Sequence, residues 1–349
     1  MNIFLNDEYK CDLKSAISYL DVSDKTFLVT GATGLIGSFI IDTLLYGNMF
    51  LGKNNKVIAL SRTKKKLIER FSYCNNYKWL DFIVQDICAP LKAEKKIDYI
   101  IHAASNADPG TYASYPVETA LTNVIGTNNI LEYAKNHLET RVIFTSTMEV
   151  YGKNNATPIT EDCVGTLDFN EVRSCYPESK RMAENLCKSY HDEYGVWIAV
   201  ARLGYIYGPT MTDTDNKVVA QFIRKSINGE NIILKSLGSQ LRSYCYVSDA
   251  TAGIFTILLH GTVGEAYNIA TEKSVLTIAK MAELIAHIDE REVVYQAPDN
   301  KESKGYSKPL DMVLDESKLI RLSWNAHYTF EAGIKHTINI LRKLKDTNV

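Results

Sequence analysis

Between Thr30 and Gly37 the chain reads T-G-A-T-G-L-I-G, directly after the apolar run Phe27-Leu28-Val29 and directly before Ser38-Phe39-Ile40-Ile41, whose apolar positions recur at helical spacing. That order is a strand, a glycine turn and a helix start. Gly31 permits the tight turn, Gly34 lets the backbone approach a pyrophosphate, and Gly37 lets the helix pack closely on the sheet. A dinucleotide phosphate then sits at the helix N-terminus, with Thr33, Leu35 and Ile36 completing the turn. Three glycines at these offsets arise by chance in roughly a tenth of chains this long, so the flanking strand and helix decide the reading. The plain alternative is a structural turn in an unrelated α/β protein.

Around the turn, short apolar strands alternate with amphipathic helices: Thr26–Thr30, Val57–Leu60, Phe82–Val84, Tyr99–His102, Arg141–Ser146 and Ile198–Ala201. The alternation predicts an α/β fold with a doubly wound parallel sheet, whose strand C-terminal ends form the ligand edge. After Gly208-Pro209 come loops rich in Asp, Thr and Asn, a helix around Val218–Ile227 and the turn Gly238-Ser239-Gln240, while Ala266–Ala270 reads as a strand returning to the sheet. We therefore expect a nucleotide-binding domain over 25–203 and 246–273 and a smaller, discontinuous substrate-binding lobe over 204–245 and 274–349, with residues 1–24 a helical N-terminal extension of unassigned role.

Composition narrows the partners. At 349 residues with 46% hydrophobic content the chain has room for one large or two modest cores. The formal charge is -2 and the basic runs, Lys64-Lys65-Lys66 and Lys95-Lys96, are short, so no nucleic-acid face is expected. Seven cysteines stand without a C-x-x-C pair or zinc-finger spacing, which predicts reduced packing thiols and no metal. Asp7, Glu8, Lys10, Asp12 and Lys14 exclude a signal-peptide core, and no apolar run reaches membrane-spanning length. A cytoplasmic protein without a membrane partner is the expectation.

Two segments carry candidate chemistry. In Tyr176-Pro177-Glu178-Ser179-Lys180 the tyrosine and lysine share a helical face. A cationic Lys180 and an oxidised nicotinamide would each favour tyrosinate, bringing Tyr176 toward the range of a general base. The segment Phe144 to Gly152 follows a strand to the sheet edge, where Thr147 can hydrogen-bond a reacting hydroxyl and Glu149 can act as a second acid/base or hold a sugar. A surface helix pair and a capping threonine beside a solvated glutamate are the plain alternatives.

With these landmarks in order, the chain resembles the extended short-chain dehydrogenase/reductases that act on nucleotide sugars: dehydratases, epimerases and decarboxylases. The resemblance runs from about Lys25 to the C-terminal helix. It rests on the glycine turn, Asp86-Ile87, His102-Ala103-Ala104-Ser105, Asn123 with Gly126-Thr127, Ser146-Thr147, Tyr176 with Lys180, Ala201-Arg202, Gly208-Pro209, and Arg242 with Val247 and Asp249. It implies a Rossmann domain holding NAD(P), a nucleotide-diphosphate-sugar substrate and a homodimer formed through a helix bundle. Besides the glycine turn, it assigns Asp86, Ile87, Ala103, Ala104, Ser105, Asn123, Thr145, Tyr176, Lys180 and Arg202 to the cofactor.

Within that family the wording is closest to UDP-glucuronate decarboxylases: Asp108-Pro109-Gly110-Thr111-Tyr112, Arg173-Ser174-Cys175-Tyr176, Asn216 to Phe222, and Gly238-Ser239-Gln240-Leu241-Arg242. The resemblance implies sugar contacts near Tyr112, a general-acid or pyrophosphate role for Arg242, and nucleotide contacts from Val218, Val219 and Phe222. Three positions depart from the pattern. Tyr205, in the substrate site, stands where asparagine is usual, and Thr210 where arginine is usual. Met148 replaces the aspartate that protonates the leaving hydroxyl in glucose-type 4,6-dehydratases, and a thioether has no proton to donate.

At the end of the second strand, Ser61-Arg62 stands where an NAD site usually places a carboxylate, which leans toward NADP over NAD. The expected reaction begins with Tyr176 removing the proton of the sugar 4-hydroxyl as hydride leaves C4, with Thr147 orienting the hydroxyl and Lys180 holding Tyr176 and the cofactor ribose. A C4 ketone makes a C6 carboxylate a β-keto acid, so UDP-glucuronate can lose carbon dioxide. A 6-hydroxy hexose would instead need Glu149 to take the C5 proton before water leaves. The alternatives to the decarboxylase are an NDP-hexose 4,6-dehydratase, a 4-epimerase and an NADPH-dependent reductase; a non-enzymatic redox sensor has no need of Thr147, Tyr176 and Lys180 together.

Overall fold

Runs such as Phe27-Leu28-Val29 and Val57 to Leu60 are apolar at every position, not at alternate ones, and this suits strands covered on both faces. A computed structural model describes residues 6–74, 78–93, 96–297 and 310–346. Residues 1–5, 298–309 and 347–349 of the predicted divisions, and Lys95 of the basic pair, lie outside those described.

In chain order the elements are α1 (Asp7–Ile17), β1 (Thr26–Thr30), α2 (Leu35–Leu51), β2 (Lys56–Ser61), α3 (Lys64–Arg70), β3 (Leu80–Val84), β4 (Tyr99–His102), α4 (Pro109–Ser114), α5 (Pro116–Lys135), β5 (Arg141–Thr147), α6 (Cys175–Tyr194) and β6 (Trp197–Leu203). There follow β7 (Tyr205–Tyr207), α7 (Val218–Ile227), β8 (Ile232–Leu234), β9 (Leu241–Tyr246), α8 (Val247–His260), β10 (Ala266–Ile269), β11 (Val275–Thr277), α9 (Ile278–Ile288), β12 (Val293–Tyr295) and a C-terminal helix, Phe330–Asp346. Seven strands form one parallel sheet in the order β10-β6-β5-β4-β1-β2-β3. The chain runs outward from β1 through β2 to β3, then crosses back to lay β4 on the other side of β1. The strand order therefore reverses between β1 and β4, the crevice where open α/β sheets bind ligands. Thr30 and His102 pair there, at the C-terminal ends of the two strands.

The segment 204–245 supplies β7 and β9, which pair in parallel, and β11 adds antiparallel to β9. Helix α7 buries Val219, Ala220, Phe222, Ile223 and Ser226 and packs against α9 and the C-terminal helix. Helices α5 and α6 lie together on one face, where Val117, Leu121 and Ile125 of α5 and Met182 of α6 remain exposed.

Helix α1 of the N-terminal extension is part of the core. Asn6 caps α1, and Tyr9, Leu13, Ala16 and Ile17 recur at helical spacing on its buried face, against α2 and α8. Asp12, on the same helix, is fully buried. The hydroxyls of Tyr246 and Tyr328 each donate to its carboxylate at 2.6 Å, and His336 Nδ1 lies 3.3 Å from it. Ser248 Oγ donates to its carbonyl at 2.8 Å. Asp12→Ala would leave two tyrosine hydroxyls without their acceptor in a dry interior. We expect it to cost about 3 kcal/mol in urea unfolding, against about 0.5 kcal/mol or less for a solvated helix position.

Candidate active site

The glycine turn emerges from β1 beside the backbone that leaves β4. Gly31 has φ +63°, and a Cβ there would come within 2.5 Å of the Ala103 carbonyl oxygen, so both the torsion and the space demand glycine. A Cβ on Gly37 would meet the Gly31 oxygen at 2.4 Å, which fixes how closely α2 begins against the turn. Thr30 Oγ1 accepts from the Ala103 and Ala104 amides at 3.1 and 3.0 Å and lies 2.8 Å from His102 Nδ1. One hydroxyl thus ties the two strand ends together. Burial and then Lys180 push His102 down to about 3, so the imidazole is neutral.

The site fits a dinucleotide. Helix α2 starts at Gly34 with no side-chain cap and no acidic residue in its first turn, leaving its N-terminal amides and dipole to an anion. Ser146 Oγ, at the end of β5, is buried and has no hydrogen-bond partner among the described residues. Asp86 folds the turn after β3 by accepting from the Cys88 amide at 2.8 Å, and Ile87 presses so closely on Gly126 that a Cβ there would come within 2.8 Å of it. Ser105 donates to Asn123 at 2.7 Å, and Asn123 donates to Ser179 at 2.9 Å, linking the loop after β4 to the helix that carries Tyr176.

Thr147 ends β5 and caps the short 3-10 turn Met148–Tyr151, its Oγ1 accepting from the Glu149 amide at 3.2 Å. It also faces the Tyr176 hydroxyl, closely enough to favour the charged form of that phenol. The capping role and the site role therefore coexist in one side chain. Lys180 is buried, donates to the Thr145 carbonyl at 2.8 Å and lies 4.6 Å from the Phe144 ring centre. Thr145 Oγ1 in turn donates to the His102 carbonyl at 3.0 Å. Burial brings Lys180 down to about 7, and burial followed by the Glu149 charge pushes Tyr176 well above the ordinary phenol range, with Thr147 opposing. Lys180, expected to favour tyrosinate, is not among the groups that act on Tyr176; of the chain's own groups only Thr147 opposes the rise. A positive charge from an oxidised nicotinamide, when bound, would add to Thr147 in favouring tyrosinate.

Tyr112 stacks on Tyr176 with ring centroids 5.1 Å apart at 12°. Arg173 joins this pair to Glu149: its Nη2 donates to the Tyr112 hydroxyl at 3.2 Å and its Nη1 stands 3.3 Å from Glu149 Oε2. Arg242, on β9 and nearly buried, holds its guanidinium 5.1 Å from the Tyr205 ring centre. Burial raises Tyr205 to about 12, with Arg242 opposing and the Glu149 charge adding to the rise. Strands β7 and β9 thus bring Tyr205 and Arg242 toward the cluster of Tyr176, Tyr112, Arg173 and Glu149.

Several of the expected site residues have side chains engaged within the protein. Arg202 was assigned to the cofactor, but its Nε and Nη2 donate to Glu184 and its Nη1 to the Tyr151 hydroxyl and the Glu161 carbonyl. It lines a separate cavity of about 420 Å³ with Glu184, Cys163 and Ala266, where every branch of the guanidinium is already used. Val219 and Phe222 are buried in the core because α7 is strongly amphipathic, so only Val218 keeps an exposed side chain for a nucleotide. Thr210 reaches the start of α2, donating to the Leu35 carbonyl at 2.8 Å. Met148 packs with Val150, Tyr151, Ile159, Met312 and Leu314. Arg62 is not free: its Nη1 is ion-paired with Glu118 of α5. Sequence reasoning quoted Arg173 but gave it no role; its place three residues before Tyr176, across a helix start, was the available signal.

Comparison with known proteins places this geometry among relatives. The NAD dependent epimerase/dehydratase family model matches residues 27–270. UDP-glucuronic acid decarboxylase 6 of Arabidopsis thaliana is 36% identical over 283 residues, covering 80% of this chain and 78% of its own. UDP-glucuronic acid decarboxylase 1 of Xenopus tropicalis is 32% identical over 332 residues, 94% of this chain and 75% of its own. The crystal structure of a dTDP-glucose 4,6-dehydratase from Streptomyces venezuelae, with NAD bound, matches with a TM-score of 0.78 at 25% identity, covering 92% of this chain and 98% of that one.

Proposed function

Because this chain belongs to the NAD dependent epimerase/dehydratase family, we propose that it is a nucleotide-sugar lyase that oxidises the sugar at C4 and releases the C6 carboxylate of UDP-glucuronate as carbon dioxide. The Gly31–Gly37 turn would hold NAD, which when bound would supply the hydride acceptor for the oxidation and, once reduced, the donor for its reversal. Tyr176 takes the proton of the 4-hydroxyl, which Thr147 orients, while Lys180 steadies the site from the Thr145 carbonyl. With C4 a ketone, the C5–C6 bond breaks, its electron pair moves into the enolate, and carbon dioxide departs. C5 then takes up a proton that comes in the end from solvent, one being consumed per carbon dioxide released, and Glu149, partly exposed beside Arg173, is the group that would relay it. Hydride returns to C4, with the proton on Tyr176 going back to the oxygen, so the sequence is redox-neutral.

The observation that carries decarboxylation over dehydration is position 148. Loss of water from a hexose needs an acid at the C6 hydroxyl, and at the position where glucose-type 4,6-dehydratases carry that acid this chain has a methionine, which has no proton to donate and is buried in an apolar cluster. Glu149 beside Tyr176 keeps a 4,6-dehydratase as the second reading, since it could take the C5 proton.

Ser61 puts no carboxylate at the end of β2, so the expected lean toward NADP rests on Arg62 alone, and Arg62 is paired with Glu118. The exposed stripe Val117, Leu121 and Ile125, with Met182 beside it, supports a homodimer through α5 and α6. Seven unpaired thiols suit the cytoplasm. The assignment of 25–203 with 246–273 to cofactor and of 204–245 with 274–349 to the nucleotide sugar rests on the glycine turn in the first and on Tyr205, Val218 and Arg242 in the second.

Incubation with a panel of nucleotide sugars, read by mass spectrometry, tests the proposal. UDP-glucuronate should lose the mass of carbon dioxide while UDP-glucose loses nothing. A product lighter by water from a hexose, with UDP-glucuronate untouched, would overturn it.

A further inference from the structure

One charged contact at the sheet edge is not used by the chemistry above. Strand β2 lies beside β1 with Leu60 in register with Thr30, and the Ala32 amide donates to the Leu60 carbonyl at 3.3 Å. Arg62, two residues beyond Leu60, therefore stands next to the glycine turn, where a Rossmann site meets the adenosine ribose. Its guanidinium pairs with Glu118, which α5 presents in its first turn, where a carboxylate is also favoured by the helix dipole. Glu118 is held further below the usual carboxylate range by that Arg62 bond, with Asn106 adding to the effect. The pocket alongside, about 540 Å³, runs from Asp86 at the end of β3 to Glu118, Leu121 and Thr122. Both side chains are about half exposed, at 50% and 48%, so solvent and ligand reach them.

We infer that Glu118 sets the choice between NAD and NADP, by engaging the Arg62 guanidinium that a 2′-phosphate would otherwise take and by placing a carboxylate where that phosphate would lie. Ser61 cannot perform this discrimination, since it carries no charge to reject a 2′-phosphate. The carboxylate usually found on β2 is here supplied from α5, and Arg62 is the element through which it acts. A bound 2′-phosphate must break the Arg62–Glu118 pair and then sit beside the released carboxylate. NAD meets neither cost.

The inference rests on the proposed dinucleotide site, and the test separates the two. Dissociation constants of NAD and NADP are measured by calorimetry on protein stripped of nucleotide, for wild type, Glu118→Gln, Arg62→Ala and the double variant. Glu118→Gln keeps the shape and removes the charge; it should shift the affinity ratio toward NADP by about fivefold or more. Arg62→Ala should shift it toward NAD, and in that background Glu118→Gln should recover only part of its effect, because the freed guanidinium is gone. Glu118→Ala should move the ratio in the same direction as Glu118→Gln. If both nucleotides bind and the ratio in both Glu118 variants stays within about twofold of wild type, Glu118 is not the discriminator, while the dinucleotide site stands. If neither nucleotide binds wild type, the site itself is wrong and this inference falls with it.

Discussion

Replacing Tyr176 with phenylalanine should slow oxidation at C4 by about a hundred- to ten-thousandfold while leaving nucleotide-sugar binding nearly intact. The variant loses one hydroxyl, the one that Thr147 faces, and keeps the ring that stacks on Tyr112. Almost no volume changes in a buried position, so neither packing nor the Arg173–Tyr112 contact is disturbed. The size of the loss follows from removing a positioned general base. Formation of reduced nicotinamide in a single turnover reads the step directly, and equilibrium titration with the sugar nucleotide reads binding. A loss below about tenfold would mean that another group takes the proton.

Met148→Asp should be the most damaging change near the site. Met148 is 3% exposed, among Val150, Tyr151, Ile159, Met312 and Leu314, and an aspartate there would be either an unpaired charge or a neutral acid in an apolar cluster. We expect a destabilisation of about 3 kcal/mol, seen as a melting temperature lower by several degrees. Decarboxylation should fall with it, because Met148 anchors the short turn that carries Glu149 and directly follows Thr147. Met148→Leu, which keeps the volume and the apolar surface, should cost less than about 1.5 kcal/mol and serves as the control. A Met148→Asp protein as stable as wild type that dehydrates a hexose would place side chain 148 at the substrate and contradict the packing described above.

What could be read from the sequence was what local rules determine. Apolar runs at two-sided strand positions gave the sheet, and Gly31 and Gly37 stand where a Cβ has no room, a constraint that the T-G-A-T-G-L-I-G spacing states openly. Tyr176 and Lys180 are one helical turn apart, so their shared face was legible before any tertiary contact was known. Contacts between residues distant in sequence were hidden. Arg62 and Glu118 are 56 positions apart, and nothing in Ser61-Arg62 announces a carboxylate arriving from α5. Arg202 was read as a cofactor residue because its position resembles one; its guanidinium is used up by Glu184, 18 positions away on α6. The burial of Val219 and Phe222 was hidden for a different reason. The amphipathic period of α7 was visible, but which face met the core depended on α9 and the C-terminal helix. The extension before β1 gave no functional signal, and its place in the core depends on Tyr246, Tyr328 and His336 closing on Asp12 from the far end of the chain.

The central claim is that oxidation at C4 precedes loss of carbon dioxide and is then reversed at the same carbon. UDP-glucuronate carrying deuterium at C4 tests it directly, with the product examined by mass spectrometry and proton NMR. The account predicts a pentose nucleotide lighter by carbon dioxide with deuterium restored at C4, and no such product from the Tyr176→Phe variant at matched times. Carbon dioxide released with the deuterium missing from C4, or no carbon dioxide from this substrate at all, would contradict it.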